Sequence, residues 1–260
     1  MENKLLTEDF INKINGIALA AGRKVMSIYE RDFDIKEKSD SSPLTEADLA
    51  SHHCIVDSLS SLTPDLPILS EESADIPWSE RSQWKAYWLI DPLDGTKEFI
   101  KRNGEFTINI ALISNGEPVF GSVYAPVLDE LYYGGGAIGA WKHKASEKQP
   151  ISIAEVSQSP VRVVGSRSHQ SDEMQEYLKK FDDYELVPMG SSLKICLVAE
   201  GKADIYPRLG PTSEWDTAAA HAVLKAAGGS CIMYDNEHEL IYNSKESLLN
   251  PYFIAQGPQL

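Results

Sequence analysis

Three scarcities in the 260-residue sequence remove most classes of function at the start. Cysteine occurs three times, as Cys54, Cys196 and Cys231, each isolated and set among apolar residues. That number and spacing exclude a disulfide framework and a cysteine-based zinc site, and the thiols read as reduced core residues of a cytosolic protein. Long apolar runs are missing: no stretch reaches the roughly 18 residues a membrane span needs. The first residues, Met1-Glu2-Asn3-Lys4, lack the cationic-then-apolar order of a signal peptide. Basic residues are also few, 24 Lys and Arg against 39 Asp and Glu, for a net charge of −15. Nucleic acid is therefore an improbable partner, because binding it needs a basic surface. If the substrate is anionic, local cations or metal ions must reverse the field inside the site.

What is present describes an ordinary soluble core, with 42% hydrophobic and 24% charged residues. Apolar positions at Phe10, Ile14, Ile17, Ala21, Val25 and Ile28, behind Thr7, predict an amphipathic helix over 7–31. A second helix is expected from Thr45 to about Leu62. Two short strands follow at 67–70 and 86–90, each ending in acidic residues. Strands are then expected at 106–113, 119–124, 130–133 and 138–141, with Asn115-Gly116 as a hairpin turn. The charged stretch 142–149 reads as a break. Beyond it the pattern alternates: a strand at 161–164, helices at 172–181 and 193–200, a strand at 203–206, a helix at 218–227 and a strand at 230–234. The fold class is α+β passing into α/β, with an N-terminal half at 1–155 and a smaller C-terminal half at 156–260.

Acidic residues gather where these elements end. Glu71-Glu72 follows one strand. Asp91-Pro92-Leu93-Asp94-Gly95-Thr96 follows another, with two carboxylates three residues apart. Asp216 opens the helix that Ala218 continues, and Asp48 lies in the first turn of the helix that Thr45 begins. Taken singly, each has an ordinary reading. Asp-Pro and Asp-Gly make turns, Thr45-x-x-Asp48 is a capping box, Asp216 complements a helix dipole, and Glu71-Glu72 is a solvated pair. Taken together they are hard oxygen ligands of the kind Mg²⁺ requires, and crowded like charges call for a compensating cation.

Glu71-Glu72, Asp91-Pro-Leu-Asp94-Gly95-Thr96 and Trp215-Asp216-x-Ala-Ala resemble, in order and spacing, the motifs of the lithium-sensitive Mg²⁺-dependent phosphatases. That superfamily includes inositol monophosphatases, fructose bisphosphatases and 3′-phosphoadenosine phosphatases. The resemblance runs from about residue 5 to about residue 235 and implies a layered α-β-α-β-α fold with two or three Mg²⁺ ions and inhibition by Li⁺. It gives Glu71 (with Glu72 as the alternative) to the first metal and the attacking water. Asp91 would bridge two metals, the Leu93 carbonyl would join the first, and Asp94 and Asp216 the second. Asp48 would pair with the Thr96 hydroxyl to orient and help deprotonate water, and the Gly95 and Thr96 amides would face phosphate.

Within that superfamily, Gly95-Thr96-Lys97-Glu98-Phe99, Ser166-Arg167-Ser168-His169 and Gly190-Ser191-Ser192-Leu193-Lys194 resemble bacterial 3′(2′),5′-bisphosphate nucleotidases. So does the stretch 197–208. The resemblance implies that Ser191, Lys194 and Arg208 hold the phosphate that is not cleaved. His169 would contact the nucleotide, and Lys38 would stand near the metals. The other five histidines (His52, His53, His143, His221 and His238) read as structural or surface residues. The expected reaction is hydrolysis of adenosine 3′,5′-bisphosphate to AMP and phosphate, with 3′-phosphoadenosine 5′-phosphosulfate as a further substrate. The alternatives are an inositol monophosphatase, a fructose-1,6-bisphosphatase, and a non-catalytic metal- or nucleotide-binding protein. The expected location is the cytoplasm, with peripheral attachment to the inner membrane as the alternative, although no amphipathic basic helix supports it. Oligomeric state is not encoded in any of these features.

Overall fold

The computed structural model describes residues 6–33, 35–37, 43–136, 138–145, 147–157, 159–165 and 172–257. Lys38 and the segment 166–171, with His169, lie outside the described residues. Helix α1 (Glu8–Tyr29) is capped by the Thr7 hydroxyl, and after the short strands β1 (Ile35–Glu37) and β2 (Pro43–Thr45) comes α2 (Glu46–Leu62). A seven-stranded sheet then forms from β3 (Ile68–Ser70), β4 (Ala86–Asp94), β5 (Thr107–Ser114), β6 (Glu117–Ala125), β7 (Glu130–Gly135), β8 (Gly139–Lys144) and β9 (Glu147–Ile151), in sequence order. Strands β3 and β4 are parallel and every other neighbouring pair is antiparallel. Two short helices, α3 (Trp78–Arg81) and α4 (Thr96–Ile100), flank β4.

The C-terminal part builds a second sheet of five strands. It comprises β10 (Val161–Gly165), helix α5 (Asp172–Leu178), β11 (Tyr184–Pro188), α6 (Leu193–Ala199), β12 (Ile205–Arg208), α7 (Glu214–Ala226), β13 (Ser230–Met233) and β14 (Phe253–Gln256), in the strand order β11-β10-β12-β14-β13.

Strand β4 shows why the elements stack in layers. Its alternate residues go to different cores: Trp88 and Ile90 pack with Ile14, Val25 and Leu59 of α1 and α2, while Tyr87 and Leu89 pack with Val223 and Leu224 of α7. Both faces are covered, so the strand reads as an unbroken apolar run instead of an alternating one. The same middle core takes in Tyr206, Phe253 and Ala255 of the second sheet, and Met174 and Leu178 of α5 cover that sheet's far side. The order is helices, seven-stranded sheet, helices, five-stranded sheet, helix, which is the layering expected. Helix α7 sits very close to the first sheet. A Cβ on Gly121 of β6 would come within 2.0 Å of the Ala219 carbonyl oxygen, so only glycine fits there.

Several expectations need correction. The stretch 142–149 is not a break but the β8–β9 hairpin. Lys142 is 3% exposed and its ammonium lies 2.9 Å from Glu130 and 3.0 Å from Glu200, so these charges are paired, not solvated. Strand β4 does not stop at Ile90 but continues to Asp94, and α7 begins at Glu214, four residues before Ala218. Strands β11 and β14 had no counterpart in the sequence reading.

Candidate active site

In a regular strand, residues three apart point to opposite faces. Asp91 and Asp94 would then be separated by the sheet. They are not, because β4 carries a bulge between them: Asp91 pairs with Asn109 and Asp94 with Thr107, so that Pro92 and Leu93 together oppose the single residue Ile108. Pro92, which has no N–H to lose, occupies the bulge. Its carbonyl accepts a hydrogen bond from Ser51 Oγ of α2 at 2.7 Å, while Leu93 N donates to Asp91 Oδ1 at 3.0 Å. The extra residue turns Asp94 to the side that Asp91 already faces. Ser192 N donates to Asp94 Oδ2 there at 2.5 Å, ahead of α6.

Asp216 reaches the same place from the second half of the chain. As the third residue of α7 it accepts a hydrogen bond from Ser213 N on Oδ2 at 2.9 Å, which fixes its rotamer. One oxygen each of Asp91, Asp94 and Asp216 lie within 4.8 Å of one another. Glu71, in the 3₁₀ turn Glu71–Ser73 after β3, shares a hydrogen bond with Asp91 and its charge acts on all three aspartates. Burial comes first and mutual repulsion adds to it. Together they hold Asp91 well above the usual carboxylate range and push Asp94 up to about 6 and Asp216 up to about 8. Lys194, Ser192 N and Asn109 partly relieve Asp94, and Arg208 partly relieves Asp216.

These directions give a test. A carboxyl whose pKa is raised on folding favours the folded state below its unfolded value of about 3.8, and that contribution is lost as pH rises through the folded value. Stability of protein stripped with EDTA should therefore fall from about pH 4, the unfolded value, to about pH 8, through the Asp94 and Asp216 values of about 6 and about 8. Saturating Mg²⁺ should restore it, with a larger gain in melting temperature at pH 8 than at pH 6. Thermal melts with EDTA and with Mg²⁺ decide it, and a gain that is equal or smaller at pH 8 refutes the coupling.

A second pair adjoins the cluster. Thr96 Oγ1, at the start of α4, donates to Asp48 Oδ1 at 3.2 Å and lies 3.4 Å from the Leu93 carbonyl oxygen. The other carboxylate oxygen of Asp48 accepts from Thr45 N at 2.8 Å and from Thr45 Oγ1 at 2.6 Å, so Asp48 is a capping-box residue as well. Gly95 has φ +95°, a conformation that favours glycine, and it turns the chain from β4 into α4. Phe99 anchors α4 from below, with ring centroids 4.8 Å from Phe33, 5.1 Å from Tyr29 and 5.2 Å from Phe106.

Asp94 and Asp216 open onto a cavity of about 610 Å³ between α4, α6, β12 and α7. Lys194 and Arg208 line it, together with Ser191, Tyr206 and Met189. The Arg208 guanidinium is held by Thr212 Oγ1 and the Pro211 carbonyl, so its direction is set in advance. Ser191 has φ +46° and is nearly buried, and a Cβ on the preceding Gly190 would fall 2.8 Å from the Glu105 carbonyl oxygen.

The structure thus brings Asp48, Glu71, Asp91, Leu93, Asp94, Gly95, Thr96, Ser191, Lys194, Arg208 and Asp216 to one region. His169 and Lys38 lie outside the described residues. The sequence reading passed over Thr107 and Asn109 and quoted Ser192 only as part of the motif before Lys194; the three side chains bond to one another (2.9 Å from Ser192 Oγ to each) and support Asp94. Thr107 and Asn109 alternate with apolar residues in β5, and that break in the strand's apolar character was the signal available. His221 is fully buried in α7, between Tyr242 OH and Glu239 Oε1 at 3.0 Å each, a structural role.

Comparison with known proteins places this architecture. The profile of the inositol monophosphatase family matches residues 7–257. The chain is 49% identical over 246 residues to the 3′(2′),5′-bisphosphate nucleotidase CysQ of Salmonella typhimurium, covering 94% of this chain and 98% of that protein. It is equally similar, 49% over 247 residues, to the protein of the same description from Escherichia coli K12, with 94% and 98% covered. Among solved structures, the CysQ of Bacteroides thetaiotaomicron, a bacterial member of the same family, superposes with a TM-score of 0.86 at 42% identity, covering 98% of this chain and all of that one.

Proposed function

The chain belongs to the inositol monophosphatase family, and we propose that it is a Mg²⁺-dependent 3′(2′),5′-bisphosphate nucleotidase. It hydrolyses adenosine 3′,5′-bisphosphate to AMP and phosphate, and 3′-phosphoadenosine 5′-phosphosulfate would be a further substrate. One observation carries this reading: the cavity that opens on Asp94 and Asp216 is also lined by fixed cations, Lys194 and Arg208. A substrate with one phosphate to cleave and another to hold matches that pairing, and the similar proteins named as bisphosphate nucleotidases support it.

The donor set suits Mg²⁺. Crowded, buried carboxylates that hold protons above their usual range are what a hard divalent cation relieves. Glu71, Asp91, the Leu93 carbonyl, Asp94 and Asp216 would hold two or three ions, and Li⁺ is expected to inhibit. Bound there, the ions would supply Lewis-acid polarisation of phosphoryl oxygens and acidify nearby water. The chain supplies the rest. Thr96 Oγ1 donates to Asp48 Oδ1, so its lone pairs are turned to accept a proton from the attacking water. Glu71 accepts from the same water, and the Gly95 and Thr96 amides face a phosphate oxygen. Ser191, Lys194 and Arg208 grip the phosphate that stays.

In this reading the two halves divide the work. Residues 1–155 bring Asp48, Glu71, Asp91, Asp94 and Thr96, while 156–260 bring Lys194, Arg208 and Asp216. The protein acts in the cytoplasm on a small nucleotide. No described helix is long and apolar enough to cross a membrane.

Phosphate release from adenosine 3′,5′-bisphosphate, inositol 1-phosphate and fructose 1,6-bisphosphate, with Mg²⁺ and with or without Li⁺, tests the assignment. Preference for either sugar phosphate overturns it. Lys194→Ala should raise KM for the adenosine bisphosphate by about 10- to 100-fold, the loss of one charge-assisted contact. KM for a simple monoester should change less than about threefold. Equal effects on both would remove Lys194 from recognition of the second phosphate.

A further inference from the structure

Lys97 and Lys101 also line the cavity, and nothing in the catalytic scheme uses them. They lie one turn apart, Lys97 in α4 and Lys101 capping its end, where Lys101 N donates to the Lys97 carbonyl at 3.0 Å, so their side chains leave the same face. Both are exposed, and neither ammonium has a hydrogen-bond or ion-pair partner among the described residues. The other two cations of the cavity face its aspartates. Lys194 lies over the Tyr206 ring, 5.6 Å from its centroid, and its charge acts on Asp94, while Arg208 is tied to Thr212 and Pro211 and its charge acts on Asp216. Glu98 and Glu105 share their wall. The Glu98 side chain, however, is folded back towards the backbone, with Cγ 3.1 Å from where a Gly190 Cβ would be and Oε2 3.3 Å from where a Gly95 Cβ would be.

We infer that Lys97 and Lys101 are the capture site for the polyanionic substrate at the mouth of the cavity, a role that rests on the nucleotidase reading above. A protein of net charge −15 repels a bisphosphate at long range. Near the mouth that field has to be reversed, and uncommitted ammonium groups on the rim do so without the cost of breaking internal ion pairs. Lys194 and Arg208 seat the phosphate that is not cleaved, whereas Lys97 and Lys101 meet the substrate first. They set the rate of productive encounter and its preference for more highly charged substrates. Because the helix is pinned from below by Phe99, the two lysines hold their place at the rim.

The double variant Lys97→Gln/Lys101→Gln is compared with wild type, as Mg²⁺-loaded full-length protein, on adenosine 3′,5′-bisphosphate and on p-nitrophenyl phosphate at about 20 and about 300 mM salt. For the bisphosphate, kcat/KM of the variant should fall about 10-fold at low salt with kcat unchanged, and the deficit should shrink to about twofold at high salt. For the monoester the change should stay within about twofold. Lys97→Arg/Lys101→Arg should keep the wild-type salt dependence. A bisphosphate kcat/KM equal to wild type at low salt overturns the capture role, as does a deficit that salt does not relieve. If wild type itself cleaves only the monoester, the nucleotidase reading fails first, and the capture role with it.

Discussion

Asp91→Asn should cost at least about 10³-fold in kcat/KM and at the same time raise the melting temperature of the metal-free protein. The loss follows from the central place of Asp91 in the carboxylate cluster. It shares a hydrogen bond with Glu71 and lies with Asp94 and Asp216 within one ion's reach. An amide there removes one negative charge from the donor set and weakens the charge stabilisation of phosphoryl transfer, which is worth several kcal/mol; about 4 kcal/mol corresponds to about 10³ in rate. The gain has a different origin. Asp91 is 1% exposed, surrounded by like charges and held well above the usual carboxylate range. Near pH 7 the folded metal-free protein pays for it in proton uptake or in repulsion. Asn has nearly the same shape, and its Oδ1 can keep the hydrogen bond from Leu93 N. The two effects are read separately, as phosphate release with saturating Mg²⁺ and as thermal melts in EDTA. Activity within tenfold of wild type, or a lower melting temperature in EDTA, contradicts the assignment.

Thr96→Val is expected to lower kcat by about 10²- to 10⁴-fold, the range for loss of a positioned proton acceptor, with little change in KM. Valine keeps the shape of threonine and removes the hydroxyl that donates to Asp48 Oδ1 at 3.2 Å. Asp48 keeps its two bonds to Thr45, so the start of α2 should stand. Thr96→Ser restores the hydroxyl and should recover activity to within about tenfold of wild type. A valine variant with kcat within threefold of wild type would assign the proton transfer to another group.

The fold was legible where burial follows a simple period. Helix α1 repeats its apolar residues at helical spacing over one covered face, and its observed span lies within two residues of the expected one. Strand β4 showed its apolar run but hid its length, because the bulge at Pro92-Leu93 looks like a turn dipeptide in one dimension. Strand β8 was expected at 138–141, but its continuation into the β8–β9 hairpin was illegible for another reason. Lys142 is read as polar from its type, and only contacts with Glu130 and Glu200, far apart in the chain, make its burial tolerable. At the site, the motifs located each acid but not what supports it. Asn109 and Ser192 are distant from Asp94 in sequence, and their hydrogen-bond network exists only once β5 and α6 are in place.

Asp48 and Asp216 share an arrangement with a consequence for how this site tolerates change. Each is the third residue of its helix, and each gives one oxygen to the backbone N–H that precedes the helix, leaving the other oxygen outside the cap. The sequence posed helix cap and functional acid as rival readings, and the structure shows the cap in both cases without excluding the second role. If the proposed roles hold, removing the carboxylate at either position is read out twice, in helix initiation and in turnover, and side-chain length is the means of separating the two. Glutamate, the usual acid of a capping box, can keep the bond to the preceding N–H while its other oxygen moves by a methylene. These two positions are then poor places to tune activity. Substrate capture, in the reading proposed above, can be adjusted instead at residues outside both caps, such as the lysines on the rim of the cavity.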